Sequence, residues 1–156
     1  MKKIYLLALA VIGFTANTFA QSATASATAT IITPIAISKT IDMNFGNIAT
    51  NATAGTVVLS ATGTRTKTGG VTLPAAAGTI SAASFTVTGS GTSTYAITLP
   101  GSAVSLTSGG NTMTIDAFTT STAGTLTAGT QTFTVGATLN LGTSQAAGTY
   151  TTGATP

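Results

Sequence analysis

Apolar and polar positions alternate along much of this chain with a period of two. The clearest runs are Phe85-x-Val87, Tyr95-x-Ile97-x-Leu99, Val104-x-Leu106, Met113-x-Ile115-x-Ala117 and Phe133-x-Val135-x-Ala137-x-Leu139-x-Leu141, mostly with Thr, Ser or Asn between. Such alternation gives a strand one apolar face and one hydroxyl face. Turn-forming groups separate the runs: Gly89-Ser90-Gly91, Pro100-Gly101, Ser108-Gly109-Gly110-Asn111 and Ala123-Gly124. Starts at Phe85, Tyr95, Val104 and Met113 fall nine or ten residues apart, as consecutive antiparallel strands of a sandwich do. Weaker strand signals lie at 31–38, 56–61 and 71–73, and no helical spacing of apolar residues occurs beyond residue 20. The pattern predicts an all-β chain: one antiparallel β-sandwich of about eight strands. Phe85, Val87, Tyr95, Ile97, Met113, Ile115, Phe133, Val135, Leu139 and Leu141 are expected to face one interior.

The first residues follow a different pattern. Met1-Lys2-Lys3 is a short cationic start, residues 4–14 are apolar, and Thr18-Phe19-Ala20 fits a small-x-small cleavage site before Gln21. The apolar run is about half the ~20 residues that a membrane-spanning helix needs. The expected organisation is a signal peptide at 1–20, a strand or tail at 21–30 and a β-sandwich domain at 31–156. In the middle piece Ala23, Ala25, Ala27, Ala29 and Ile31 alternate with Thr24, Ser26, Thr28 and Thr30. This stretch reads either as a low-complexity tail or as a strand that pairs with a sheet edge, in its own subunit or in a neighbour. Export with no Cys leaves the fold to packing alone, without disulfides.

The order of the motifs carries a resemblance. Thr28-Ala29-Thr30-Ile31 precedes Met43-x-Phe45-Gly46-x-Ile48, Ala83-x-Phe85-x-Val87-x-Gly89 and Tyr95-x-Ile97-x-Leu99-Pro100. Met113-x-Ile115-x-Ala117-Phe118, Val135-Gly136-Ala137-x-Leu139 and Ala147-Gly148-x-Tyr150 follow. In this order they resemble the bacterial secreted family of unknown function DUF4402, over nearly all of the chain past the leader. The resemblance implies an exported, immunoglobulin- or fimbrial-like β-sandwich of a Gram-negative bacterium, at the cell surface or extracellular with the periplasm as a further place, and it brings no catalytic residues. Members of that family typically run past Gly-x-Tyr into one more alternating strand, whereas this sequence stops at Pro156. The sandwich is therefore expected to lack its last strand, through truncation or because that strand comes from elsewhere.

Composition narrows the chemistry. Past residue 20 there is no Cys, His, Trp or Glu, and the charged side chains are Lys39, Asp42, Arg65, Lys67 and Asp116. Acids, bases and metal ligands come mainly from the missing types, so neither an enzyme nor a cofactor is expected. The net charge of +3 owes much to Lys2 and Lys3. Arg65 and Lys67 read as a solvated pair on a loop or edge strand, too little for a nucleic-acid footprint. Asp42-x-Asn44-x-x-Asn47 offers one carboxylate, where calcium takes six to eight oxygens, several of them from carboxylates. A turn before Phe45-Gly46 is the stronger reading, and Asp116 reads as a solvated outward residue. Asn51-Ala52-Thr53 is a chance glycosylation match. Thr-x-Thr rows (Thr62, Thr64, Thr66 and Thr68; Thr86 and Thr88; Thr112 and Thr114; Thr132 and Thr134) put hydroxyls on outer faces. Tyr150 and Phe118 stand out as aromatics that do not alternate inward.

Two functions fit these readings. The first is a non-enzymatic exported structural or adhesive protein: a subunit of a bacterial surface fibre, fimbria-like filament or coat, assembling by strand addition. The second is a soluble extracellular module that binds a glycan or another surface through its Thr-rich face. For the first, the expected partners are further copies of the chain or related surface subunits, with no nucleic acid and no integral membrane span after cleavage. Its expected assembly residues are Ala23, Ala25, Ala27, Ala29 and Ile31 as donor and an open edge at Leu139 and Leu141 as acceptor.

Overall fold

β-Branched and hydroxyl-bearing residues fill the extended stretches of this chain, and glycines mark the turns between them. The computed structural model describes residues 21–121 and 124–153. The leader expected at 1–20 lies outside the described residues. The chain divides into two units, Met1–Ile31 and Ile32–Pro156. In the first, residues 21–31 are exposed and carry no strand, turn or bend.

The second unit is all-β. Its strands are β1 (Ala36–Ile41), β2 (Ala49–Leu59), β3 (Arg65–Thr72), β4 (Ala83–Thr88), β5 (Val104–Ser108), β6 (Asn111–Thr120) and β7 (Thr130–Leu141). Every pairing among them is antiparallel, in the order β1-β4-β7-β2-β3, with β5 on β6 and β6 on β7. No helix among the described residues is long and apolar enough to cross a membrane.

β7 organises the whole arrangement. Thr138, Leu139 and Asn140 pair with both β2 and β6, so those strands flank β7 on opposite edges. Val135 pairs with both β4 and β6, which puts β4 on the same edge as β2. One edge of β7 therefore serves β4 up to Val135 and β2 from Ala137 onward, and the change falls at Gly136. A Cβ on Gly136 would lie 2.2 Å from the Leu59 carbonyl oxygen and 2.5 Å from the Ser60 carbonyl carbon. Only glycine lets the end of β2 pass that closely. Next to it, the Thr134 hydroxyl donates to the Ala61 carbonyl at 2.7 Å and holds the crossing.

Two apolar clusters result, where one interior was expected. Phe45, Val57, Leu59, Val71, Ile115, Ala137, Leu139 and Leu141 form the first. Ala83, Val87, Leu126, Phe133 and Val135 form the second, and Phe85 stacks on Phe133 with ring centroids 5.3 Å apart. Met43 and Phe118 pack against both clusters. Phe85, Tyr95, Ile97 and Met113 are only partly buried. In β6 the alternation breaks: Ala117 takes a φ of +45° and the register shifts between Asp116 and Thr119. This bulge turns Ala117 to solvent and sends Phe118 inward, reversing the phase that the sequence predicts.

Among the described residues the hydrogen-bonded strands number seven, close to the eight or so expected. Residues 95–99 keep their alternation, with Tyr95, Ile97 and Leu99 half-buried and Ala96 and Thr98 exposed, but join no ladder. Conversely, β3 begins at Arg65, in a stretch that reads by composition as solvated. The Arg65 guanidinium donates to the carbonyls of Phe45 and Asn47, the latter at 3.1 Å, so Arg65 ties β3 to the segment before β2. Lys67 stays exposed.

Two substitutions test this architecture by chemical denaturation. Phe133→Ala is expected to cost about 3–5 kcal/mol, and Thr88→Ala, exposed on the same sheet, about 0.5 kcal/mol or less. Gly136→Val should destabilise by at least as much as Phe133→Ala, because the opposing atoms are backbone. Equal costs for Phe133→Ala and Thr88→Ala would mean that the faces are assigned wrongly.

Candidate functional site

The residues singled out as a calcium-like cluster act on the backbone. Asn44 Oδ1 accepts the Gly46 N–H at 2.8 Å, with Gly46 at a φ of +68°, and Asn47 Nδ2 donates to the Ala76 carbonyl at 2.9 Å. Asp42 pairs with Lys39 instead. Among the described residues, no group of three or more acidic, His or Cys side chains converges. Asp116 is half-buried on β6 rather than fully solvated. The aromatics marked as exceptions are not exposed platforms. Phe118 packs inside, and the Tyr150 hydroxyl accepts from Gln145 Nε2 at 2.8 Å while donating to the Ala146 carbonyl at 2.9 Å.

The assembly residues divide. Ala23, Ala25, Ala27, Ala29 and Ile31 are all exposed and belong to no strand. Leu139 and Leu141 are 3% and 6% exposed, and Leu139 pairs with Val57 on one edge and Ile115 on the other. The open edge expected there is not found at Leu139, which has a partner on each edge; Leu141, at the end of β7, pairs with Gly55 of β2.

β1, β3 and β5 each have a ladder partner on one edge only among the described residues, and a further open edge, beside a largely apolar surface, lies along residues 94–98. The Tyr95 N–H donates to the Gly124 carbonyl at 2.9 Å, and the Leu126 N–H donates to the Ser93 carbonyl at 3.0 Å. Ser93 and Tyr95 thus bond toward the 124–126 stretch, with Thr94 opposite Thr125. The alternating burial of residues 94–99 indicates that the chain stays extended through 98, and in an extended chain the peptide groups of Thr94, Ala96 and Thr98 face the other way. Among the described residues nothing pairs with them there. The free stretch covers five residues, about 17 Å of strand.

Beside this edge the apolar interior is uncovered. A cavity of about 520 Å³ is lined by Ile35 and Ile37, by Phe85, Val87 and Phe133 on β4 and β7, and by Tyr95, Ile97 and Leu99. A second cavity, of about 750 Å³, shares Met43, Ala83, Phe85 and Ile115 with it and reaches Leu106, Leu141 and Tyr150. Together they form one groove open to solvent. β1 borders it with every residue exposed, Ile37 at 63% and Ile41 at 51%, and β1 has a ladder partner only in β4. Edge strands are normally blunted by charge, Pro or a cover. Here Lys39 is the one charged residue on β1, at its end of the groove. Apolar side chains open to water beside a row of unpaired peptide groups are what a strand-sized vacancy in a sandwich leaves behind.

These residues sit in a family. The description Domain of unknown function (DUF4402) matches residues 35–155, and the chain belongs to that family. No curated protein and no solved structure matches the chain.

An environment-sensitive apolar dye should fluoresce on the monomer, bound in this groove. Ile37→Ser with Ile97→Ser should remove most of that signal with the β-sheet circular dichroism retained. An undiminished signal would place the exposed apolar surface outside the groove.

Proposed function

We propose that this protein is an exported, non-enzymatic structural subunit of a bacterial surface fibre or coat, and that its copies join by strand addition. One observation carries the reading: an apolar groove flanked by the unpaired peptide groups of Thr94, Ala96 and Thr98. A strand laid along that edge gains main-chain hydrogen bonds and buries alternate side chains against Phe85, Phe133 and Ile37, the general mode of β-augmentation. The side-chain inventory supports a non-enzymatic role, since Lys39, Asp42, Arg65, Lys67 and Asp116 are the charged groups beyond the leader. Lys39 and Asp42 neutralise each other, and Arg65 binds backbone carbonyls. The leader pattern at 1–20 supports export.

A second reading draws on the outer face of the β1-β4-β7 sheet. Ser38, Thr86 and Thr132 stand in one register row, the hydroxyls of Thr86 and Thr132 are 3.2 Å apart, and Thr88 and Thr130 form the next pair. This neutral hydroxyl array suits contact with a glycan or another surface by a monomer.

Electron microscopy of the chain from Gln21 separates the two. Filaments or ordered oligomers are expected, and Thr98→Pro, which removes an edge N–H on an exposed residue, should leave the monomer folded and abolish them. Persistent monomers at high concentration would contradict the assembly reading and favour the second.

A further inference from the structure

We infer that the strand entering the groove is residues 23–31 of a second copy of this chain. The inference rests on the strand-addition reading above and names its donor. Residues 21–31 are exposed, with no strand and no hydrogen bond to another described residue, although their alternation is as regular as that of β7. Ala23, Ala25, Ala27 and Ala29 present one small apolar face, and Thr24, Ser26, Thr28 and Thr30 present one hydroxyl face. The groove floor is made of large side chains, among them Phe85, Phe133 and Phe118. Packed layers fill space best when large residues on one face meet small ones on the other, and methyl groups let a strand approach this aromatic floor. The stretch is uncharged, so entering the groove desolvates no ionised group of the donor. Its hydroxyls would face outward, continuing the pattern of Thr94 and Thr98.

The donor belongs to another copy for a local reason. Folding back alongside its own β1 would need a reversal within residues 32–35. That stretch holds no Gly, Asn or Asp, and it shows no turn or bend. Pro34 biases Thr33 toward extended backbone. A chain that donates at one end while accepting in its groove makes a head-to-tail contact. Such contacts propagate into filaments unless they close into a ring.

The test uses the chain from Gln21 with Ala25→Asp and Ala27→Asp together, both exposed positions outside the sandwich, and compares it with Thr98→Pro by sedimentation and thermal melting. The expected result is loss of assembly in both variants with the monomer fold intact. In addition, a synthetic peptide of residues 21–32 should bind monomer and cap filament growth. If the double Asp variant assembles like the parent while Thr98→Pro does not, strand addition stands and this donor is wrong. A lowered melting temperature in the double Asp variant, with its oligomer size unchanged, would show insertion in cis and also overturn the inference. If neither variant alters assembly, the strand-addition reading itself fails.

Discussion

At Gly136 the carbonyl of Leu59 leaves no room for a side chain, and there the two halves of the fold are joined. β7 runs through both apolar clusters on one uninterrupted inward face, Phe133, Val135, Ala137, Leu139 and Leu141. Its neighbours on one edge change from β4 to β2 at that point, while β6 follows the other edge with its own bulge at residues 116–119. A single strand thus carries hydrogen bonds to three others. From Val135 to Asn140 β7 has neighbours on both edges, so among the described residues edges without a ladder partner lie on β1, β3 and β5, along Thr130–Phe133 of β7, and along the 94–98 stretch.

The last of these edges gives the groove its character. The second cluster is built on β4 and β7, with Leu126, residues 95–99, Met43 and Phe118 packed against it and β1 beside β4. Part of this cluster is missing its cover, so Ile35 and Ile37 stand open beside a free row of peptide groups. Burying such apolar surface is worth roughly 25 cal/mol per Å². The surface also sits next to unpaired main-chain groups, and under the proposed strand addition the two would supply both a driving force and a direction. Charge contributes little, since the Lys39–Asp42 pair is solvent-exposed and surface pairs of this kind add about 0–1 kcal/mol.

Faces were legible in the sequence, and edges were not. Alternation shows which side chains of residues 133–141 point inward, and the structure places them all there. The same alternation at residues 95–99 also holds, yet it is silent on whether a strand has a neighbour. The open edge was expected at Leu139 and Leu141 from the family resemblance at the end of the sequence; Leu139 has a partner on each edge, and an open edge lies along Thr94, Ala96 and Thr98. In β6, the left-handed backbone at Ala117 reversed the phase without any Gly or Asn to announce it. Leu126 is among the most buried residues, but stands alone between Thr125 and Thr127 with no periodic partner to reveal it. Arg65 looked solvated by composition because its carbonyl partners, Phe45 and Asn47, lie some twenty residues away.

The account depends on the peptide groups of Thr94, Ala96 and Thr98 being open in the monomer and closed in the assembly. Amide hydrogen exchange on both forms of the chain from Gln21 tests this most directly. The Ala96 and Thr98 amides should exchange rapidly in the monomer and gain protection in the assembly, while the amides of residues 137–141 stay slow in both, as expected for a fully paired central strand. Fast exchange at Ala96 and Thr98 in the assembled form would contradict the account, since no strand would then lie along that edge.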